Sequence, residues 1–406
     1  MTKEQALANK QRVQEEGKQA WLKTGVGILE LATGSGKTKI ALDCLDEINH
    51  AYLSSNGTLP QVLIVVPTEE MRDIDWPAES EKWNIPLDNC KLVCYATLGK
   101  IDLSKYDLII YDECHRLTLP NLRNLENLMV QSGHRTYVLG LTATVPKVQY
   151  EDDAERVHLL LSLLPSVYKL TTDEAVELGL ISDFHVHVLK FNLDGVNKNI
   201  PAGTKLKPFL QSEEMAYRYL TKRLQLASLA AQSNPSKQGF KFSAISARMQ
   251  FLYNLPSKLR LATMCMNRIR QDEQTRTIVF AGSIEQANKL CGENVYHSES
   301  NRDALEKFQN REINLLGAVR ALNEGKNLTE PDNGLIIQVD SVDRNLVQRI
   351  GRLVRIRYDK MDHKATVIIL VAAGTADEKW YRTAIQYFET KRITETLVRV
   401  PATDEL

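Results

Sequence analysis

The segment VGILELATGSGKT, residues 26–38, runs from an apolar stretch through a glycine-rich turn to a Lys-Thr pair. This order predicts a buried β-strand, a tight loop and the start of a helix. Gly34 and Gly36 allow backbone N–H groups to close around phosphate oxygens. Lys37 can reach β- and γ-phosphates, Thr38 can hold Mg²⁺, and the helix N-terminus adds partial positive charge. The segment therefore predicts a nucleotide-phosphate site.

A second polar cluster, LIIYDECH at residues 108–115, ends another apolar run with two adjacent carboxylates. Asp112 is suited to hold Mg²⁺ through water, and Glu113 is suited to polarise an attacking water. Hydrolysis of a phosphoanhydride needs both functions. His115 has two interpretations: a core residue at the end of a strand, or a link from the nucleotide site to the rest of the molecule.

Apolar runs separated by helical patterns recur along the whole chain. In the first part they begin at residues 26, 61, 91, 107 and 136, and in the second part at residues 185, 277, 313, 334 and 365. Strands that alternate with helices indicate doubly wound parallel sheets. We therefore predict an α/β protein with two doubly wound parallel-sheet domains in tandem. The expected bounds are residues 1–170 for the first domain, 171–184 for a linker and 185–406 for the second domain.

The second domain is expected to contain a basic helical insertion at about residues 205–270. Twelve Lys or Arg residues face only two acidic residues there, a balance of +10 in a chain whose 51 basic and 51 acidic residues cancel. Aromatic residues are interleaved with the cations, which is typical of nucleic-acid contact. A solvated basic face with aromatics in the core is the alternative. The predicted contacts are Lys222, Arg223, Lys258 and Arg260.

The segment QRIGRLVRIR, residues 348–357, holds four arginines in ten positions. Read as a helix, it places Ile350, Leu353 and Val354 on an apolar stripe. Gln348, Arg352 and Arg355 share a different face. Because the guanidinium group stays charged and can donate two hydrogen bonds at once, this face is suited to phosphate. A solvated charged face is the alternative.

Seven segments of the chain follow one another in the order of the superfamily 2 helicase motifs, and they span almost its whole length. They are LATGSGKT (31–38), VVPT (65–68), YDECH (111–115), LTAT (141–144), IVFAGS (278–283), ALNEGKNL (321–328) and QRIGRLVR (348–355). The chain resembles the DExH-box helicases, and is most similar to compact phage-type DNA helicases of the UvsW kind. TDEAVELGLISDF, residues 172–184, resembles the turn into the second domain of that subgroup.

The resemblance implies that the two domains are RecA-like and that ATP and Mg²⁺ lie between them. The implied catalytic residues are Lys37, Glu113, Gln348, Arg352 and Arg355, the two arginines acting as fingers from the second domain. The implied nucleotide-binding residues are Gln14, Gly34, Ser35, Gly36, Lys37, Thr38, Asp112 and Gly325, with Thr38 and Asp112 at the metal. His115, Thr142, Thr144 and Glu324 couple the ATP site to nucleic acid. Pro67, Thr68, Thr97 and Ser283 stand where relatives contact the phosphate backbone, with strand-end caps as the alternative.

The predicted function is an ATP-dependent DNA helicase or translocase that acts on single-stranded or branched DNA in replication, recombination or repair. The alternatives are an RNA helicase and a non-motor clamp on nucleic acid. We expect a monomer without membrane contact, working beside phage or host replication and repair proteins. The six cysteines form no CxxC pair, and the polar N-terminus lacks a signal-peptide core, so we expect the cytoplasm, or the host cytoplasm for a phage protein.

Overall fold

The computed structural model describes residues 1–132, 136–146, 151–272, 274–297, 303–319, 331–339, 343–354, 362–386, 388 and 390–401. Contacts divide the chain into two compact units, with the first comprising Met1–Asp183 and the second beginning at Phe184. Residues 171–183, which the sequence suggested as most of a linker, thus fall within the first unit and include a short helix.

The first unit contains a parallel six-stranded sheet with the strand order β3-β2-β4-β5-β1-β6. Its central strands are buried on both faces and rich in β-branched residues, as parallel sheets require. The strands are β1 (Val26–Leu31), β2 (Val62–Val66), β3 (Cys90–Cys94), β4 (Leu108–Asp112), β5 (Tyr137–Thr142) and β6 (Ser166–Leu170). Because β5 lies between β1 and β4, the carboxyl ends of these three strands meet at one edge of the sheet.

Two helices of the first unit begin at capping boxes. Thr2 and Gln5 form a capping box at the start of α1, and Thr171 and Glu174 form another at α7. The helices are α1 (Lys3–Leu22), α2 (Lys37–Asn56), α3 (Trp76–Trp83), α4 (Tyr95–Leu98), α5 (Leu119–Ser132), α6 (Glu151–Leu163) and α7 (Thr172–Glu177). A π-helical turn, Met71–Asp75, leads directly into α3.

The second unit contains a seven-stranded sheet with the order β11-β12-β10-β13-β14-β7-β15. A separate antiparallel hairpin joins β8 to β9. The strands are β7 (Asp183–Phe191), β8 (Ile200–Thr204), β9 (Lys207–Gln211), β10 (Thr277–Phe280), β11 (Val295–His297), β12 (Leu315–Val319), β13 (Asn333–Ile336), β14 (Lys364–Ala372) and β15 (Ile393–Leu397). The helices are α8 (Glu213–Ser233), α9 (Gln238–Tyr253), α10 (Pro256–Ile269), α11 (Ile284–Cys291), α12 (Asp303–Gln309), α13 (Asp343–Leu353) and α14 (Ala376–Ile385).

The two parallel-sheet α/β units confirm the predicted fold class, and two local expectations need correction. The run KLVCYATL, expected to be one strand, is strand only to Cys94, because Tyr95–Leu98 turns into a short helix. The insertion is not wholly helical: β8 and β9 form its first part, and α8, α9 and α10 follow. Among the residues that the structure describes, no helix is both long enough and apolar enough to cross a membrane.

One cation of the insertion belongs to the core of the second unit. Lys258, in the first turn of α10, is 0% exposed, and its Nζ lies 2.7 Å from Oδ2 of Asp377 in α14. The same carboxylate oxygen accepts a hydrogen bond from the backbone N–H of Ala372 at the end of β14. Lys258 therefore ties α10 to α14 and β14. Its predicted contact with nucleic acid is wrong, because the ammonium group has no access to solvent.

Replacing Lys258 by Ala should lower the free energy of unfolding of the second unit by about 3–5 kcal/mol, because Asp377 would remain as an uncompensated buried charge. The control is Lys222→Ala, an exposed cation of α8, which should stay within about 0.5 kcal/mol of the wild type. Urea denaturation followed by circular dichroism measures both. Lys258→Met combined with Asp377→Leu should recover most of the loss. Equal stability of the Lys258→Ala and Lys222→Ala variants would contradict this role.

Candidate functional site

The loop between β1 and α2 has the backbone geometry of a phosphate cradle. Gly34 and Gly36 adopt φ values of +91° and +96°, a left-handed region that strongly favours glycine. Gly36 is the N-cap of α2 and makes no side-chain capping bond, so the first N–H groups of the helix are not used by a cap. Ser35 is fully buried, and among the described residues its hydroxyl oxygen has no hydrogen-bond partner.

Helix α1 lies against this loop through Gln14. The side-chain Nε2 of Gln14 donates a hydrogen bond of 3.4 Å to the backbone carbonyl of Ser35. A Cβ atom added at Gly36 would contact the same Nε2, and the backbone φ of +96° would strain any other residue there. The structure thus places Gln14 beside the loop, as the resemblance implied for a nucleotide-binding residue.

Lys37 and the two carboxylates meet at the edge of the first sheet. Asp112 is the last residue of β4 and is 4% exposed, and Glu113 follows with a left-handed backbone of φ +54°. Lys37 begins α2 and places its Nζ 3.6 Å from Oε1 of Glu113. Thr38, the second residue of α2, is half-buried beside it.

Burial and neighbouring charges separate the acidities of the two carboxyl groups. Burial and the charge of Glu113 raise the pKa of Asp112 to about 7. Burial also acts to raise the pKa of Glu113, but the charge of Lys37 and the hydrogen bond from His115 outweigh it and hold that pKa well below its usual range. Glu113 is therefore a carboxylate at neutral pH, whereas the protein neighbours of Asp112 do not fully stabilise its ionised form.

A chain of polar contacts links Glu113 to the end of β5. His115 Nδ1 lies 3.3 Å from Oε2 of Glu113 and 2.9 Å from Oγ1 of Thr142. The Thr142 hydroxyl donates to the carbonyl of Thr144 and accepts from the Thr144 N–H. Since the Thr142 proton is committed to Thr144, His115 must donate through Nδ1. This network joins three of the four residues for which a coupling role was predicted.

The residues present fit a Mg²⁺–phosphate group. The cradle offers backbone N–H groups and the unpartnered Ser35 hydroxyl to phosphate oxygens. A divalent cation would favour the ionised form of Asp112, which burial and the charge of Glu113 disfavour. Hydroxyl and carboxylate oxygens, as supplied by Thr38 and Asp112, are ligands that Mg²⁺ prefers.

Helix α13 of the second unit carries the remaining predicted catalytic residues. Ile350, Leu353 and Val354 are buried, as the apolar stripe indicated. Gln348 is 8% exposed, and its Oε1 has no hydrogen-bond partner among the described residues. Arg349 is buried, donates to the carbonyl of Gln338 at 2.7 Å, and lies 5.5 Å from the centre of the Phe280 ring. The side chain of Arg352, together with Glu324, Gly325 and Arg355, lies outside the described residues.

The residues expected to contact a nucleic-acid backbone also make local capping bonds. Thr68 Oγ1 accepts from the N–H of Met71, and Ser283 Oγ accepts from the N–H of Gln286 at the start of α11. The Thr97 hydroxyl donates to the carbonyl of Cys94. Pro67 is half-buried and follows β2 directly. The bonds expected under the capping alternative are therefore present. The residues that make them follow the carboxyl ends of their strands.

The four cations predicted in the insertion separate into two pairs. Lys222 and Arg223 are exposed on α8 and form no ion pair within the described residues. Arg260 is mostly buried, lies 3.6 Å from Asp194, and donates to Ser257 and to the carbonyl of Pro401. Arg260 thus has structural partners of its own, and Lys258 forms the buried ion pair with Asp377 described above.

Sequence reasoning missed two aromatic residues at the site. The indole N–H of Trp76 in α3 donates to Oδ2 of Asp112 at 3.1 Å, and the hydroxyl of Tyr95 donates to the carbonyl of Asp112 at 2.8 Å. Trp76 lies in none of the motifs, so the sequence offered no signal for its role.

Two family models match separate parts of the chain. Residues 88–147 match the model described as type III restriction enzyme, res subunit. Residues 258–357 match the model described as helicase conserved C-terminal domain. The first match lies in the first unit and covers β4 with its carboxylates, and the second lies in the second unit.

Relatives extend the similarity over nearly the whole chain. The DNA 3'-5' translocase XPB2 of Sulfurisphaera tokodaii is 25% identical over 392 residues, which cover 91% of this chain and 83% of the relative. A fragment of an HsdR subunit of a type I restriction enzyme from Vibrio vulnificus has a TM-score of 0.57 at 16% identity, over 96% of this chain and 68% of that one. The Hef helicase domain of Pyrococcus furiosus has a TM-score of 0.50 at 17% identity, over 92% and 97%.

The structural similarities show the fold. The two family matches and the translocase relative show that the chain is similar to helicases and to a DNA translocase in both its first and its second part.

Proposed function

We propose that the chain is an ATP-driven DNA translocase that moves on, unwinds or remodels branched DNA in replication, recombination or repair. The observation that carries the proposal is the chain of polar contacts from Glu113 through His115 to Thr142. It connects a carboxylate suited to activate water with the end of a neighbouring strand, so hydrolysis and a movement of β5 or its loop can be linked. The similarity to a DNA 3'-5' translocase over 91% of this chain supports DNA as the track.

The site residues of the first unit each have a role in the proposed hydrolysis of ATP. Lys37 and the N–H groups of the cradle bind the phosphates, and Gln14 contacts the nucleotide from α1. Thr38 and Asp112 hold Mg²⁺, which neutralises charge on the phosphates when bound. Glu113 polarises the attacking water, and its lowered pKa keeps it in the carboxylate form that this role requires.

The second unit is proposed to complete the reaction from α13 and its flanking segments. Arg352 and Arg355 stabilise charge on the transferred phosphoryl group, and Gln348 senses the γ-phosphate or its water. The unpartnered Oε1 of the buried Gln348 supports this role, because a buried amide oxygen without a partner is costly unless a ligand supplies one. Glu324 and Gly325 are proposed to face both ATP and the strand.

An exposed face of α8 is the proposed contribution of the insertion to DNA binding. Tyr219, Lys222, Arg223 and Leu226 lie at helical spacing on one face, and Tyr219 and Leu226 are 63% and 59% exposed. A cationic face beside an exposed aromatic ring suits a phosphate backbone and a stacked base. Pro67, Thr68, Thr97 and Ser283 are proposed to contact the same strand from the two sheets.

The finer parts of the proposal follow the motif resemblance. We infer a compact DExH-box protein of the phage type that acts as a monomer beside phage or host replication and repair proteins. Its domains are proposed to be residues 1–170 and 185–406, joined by residues 171–184. The cytoplasm is the proposed location, since all six cysteines are free thiols that a reducing compartment would preserve.

The rate of ATP hydrolysis should rise when DNA is added. The assay compares single-stranded DNA, duplex DNA, forked DNA and RNA at equal nucleotide concentration, with the protein alone as the baseline. Stimulation by forked or single-stranded DNA supports the proposal. Stimulation by RNA alone would replace it with an RNA helicase, and binding of DNA without any stimulation would replace it with a non-motor clamp.

Glu113→Gln should leave ATP binding intact and lower the hydrolysis rate by about 10²–10⁴, because the water loses its general base while the metal ligands remain. Lys37→Ala should weaken ATP binding and lower the rate by about 10²–10³, since a phosphate-binding cation is lost. A fluorescent ATP analogue measures binding, and phosphate release measures turnover. The control is Glu81→Gln, an exposed carboxylate of α3. Wild-type turnover by Glu113→Gln would disprove its assigned role.

Arg352→Ala should lower the hydrolysis rate by about 10³–10⁵ with little change in ATP affinity, because finger arginines act on transition-state charge. Arg349→Ala should mainly reduce the stability of the second unit, since Arg349 is bonded to Gln338 and packs on Phe280. The measurements are the rate at saturating ATP and the melting temperature. Equal losses of rate in the two variants, with both folded, would count against the finger assignment.

Lys222→Gln combined with Arg223→Gln should weaken DNA binding and flatten its salt dependence by about 1.4 to 1.8 log units per log unit of salt, since each phosphate contact releases counterions. The control variant is Lys91→Gln combined with Lys105→Gln. Both lysines are exposed and lie near the amino ends of β3 and β4, opposite the ATP-site edge. Fork affinity at several salt concentrations gives the slope for each protein. An unchanged slope in the α8 variant would make that face a solvated scaffold.

A further inference from the structure

Trp76 is a buried aromatic residue whose hydrogen bond reaches the ATP site. It begins α3, is 1% exposed, and donates its indole N–H to Oδ2 of Asp112 at 3.1 Å. A buried indole N–H needs a hydrogen-bond acceptor, and a backbone carbonyl is sufficient for this purpose. Trp21 illustrates the ordinary case: it is 0% exposed and donates at 3.0 Å to the backbone carbonyl of Val138. Trp76 instead bonds to the side chain proposed to hold the metal.

Asp112 is held at two points by aromatic donors from different elements. Trp76 of α3 bonds to the carboxylate, and Tyr95 of α4 donates its hydroxyl to the Asp112 backbone carbonyl at 2.8 Å. The backbone bond fixes where β4 ends. The carboxylate torsion of an aspartate is soft, so the strand alone does not fix the plane of its two oxygens. The bond from Trp76 removes that freedom.

We propose that Trp76 is a positioning residue for Mg²⁺·ATP, which orients the Asp112 carboxylate before the metal arrives. The inference rests on the proposed role of Asp112 as a metal-holding residue. Metal-binding carboxylates are commonly oriented by hydrogen bonds from outside the metal shell, and loss of such a partner lowers metal affinity by about 10–100-fold. Trp76 acts through Asp112 and touches neither the phosphates nor the water.

The bond leaves the Asp112 carboxylate available to the metal, because an indole N–H is a neutral donor. A lysine at the same place would form an ion pair and compete with the metal for the carboxylate. An indole therefore orients Asp112 and leaves its charge for the cation, which is a combination that few side chains supply.

The test compares Trp76→Phe with Trp21→Phe, two changes that keep an aromatic ring and remove one buried indole N–H. Binding of a fluorescent ATP analogue is titrated with Mg²⁺ and, separately, in EDTA. For Trp76→Phe we expect the Mg²⁺ concentration at half-maximal binding to rise about 10-fold, with unchanged affinity in EDTA. For Trp21→Phe both values should equal those of the wild type. The hydrolysis rate of Trp76→Phe should recover at high Mg²⁺, as a positioning defect predicts.

A double-mutant cycle assigns the effect to Asp112. In an Asp112→Ala background, Trp76→Phe should not change the Mg²⁺ dependence further, because the group that it positions is gone. Melting temperatures of all variants show whether they are folded. If Trp76→Phe does not fold, replacement of Trp76 by its isostere 3-benzothienylalanine removes the N–H while keeping the shape, and the same titration applies.

Two failures are distinguishable. Equal Mg²⁺ dependence of Trp76→Phe and the wild type, with both folded, overturns the role of Trp76 and leaves the ATPase assignment standing. Nucleotide binding by the wild type that does not respond to Mg²⁺ overturns the metal role of Asp112, and the role of Trp76 falls with it.

Discussion

The first unit is organised around two adjacent carboxylates that are nearly out of water at the end of β4. Two like charges at such a position cost several kcal/mol per ion unless the protein compensates them. Lys37 and His115 compensate Glu113, and the result is a lowered pKa. For Asp112, the neutral donor from Trp76 and the charge of Lys37 do not outweigh burial and the charge of Glu113, and its pKa stays raised at about 7. The fold therefore balances one carboxylate internally and leaves the other for an external cation.

The backbone makes this division possible at Glu113. Consecutive residues of a strand point to opposite faces, so a straight β4 would send the two carboxylates apart. Glu113 instead leaves the strand with φ +54°, a conformation that costs a non-glycine residue about 1–2 kcal/mol. The turn brings Glu113 to Lys37 and His115 while Asp112 remains bonded to Trp76. Such local strain is typical of functional sites.

The parts of the site that the sequence could predict are those set by neighbouring residues. The glycine loop, the Asp112–Glu113 pair and the buried stripe of α13 each lie within a dozen residues, where spacing alone determines geometry. The fold class followed from the alternation of strands and helices for the same reason. Trp76 could not be found in this way, because its partner lies 36 residues further along the chain, and no local pattern records the bond.

Charge in the insertion shows the same limit more strongly. Composition counts Lys258 and Lys222 alike, yet Lys258 is cancelled by Asp377, which stands 119 residues away, and Lys222 remains exposed. One of the two acids of the insertion, Glu213, is likewise spent on the backbone N–H groups of Asp194 and Ser257. What a local charge excess means thus depends on which charges the fold itself consumes. On α8, Lys222 and Arg223 form no ion pair with the described part of the chain and lie beside an exposed Tyr219. This remaining positive charge is where an anionic strand has most to gain.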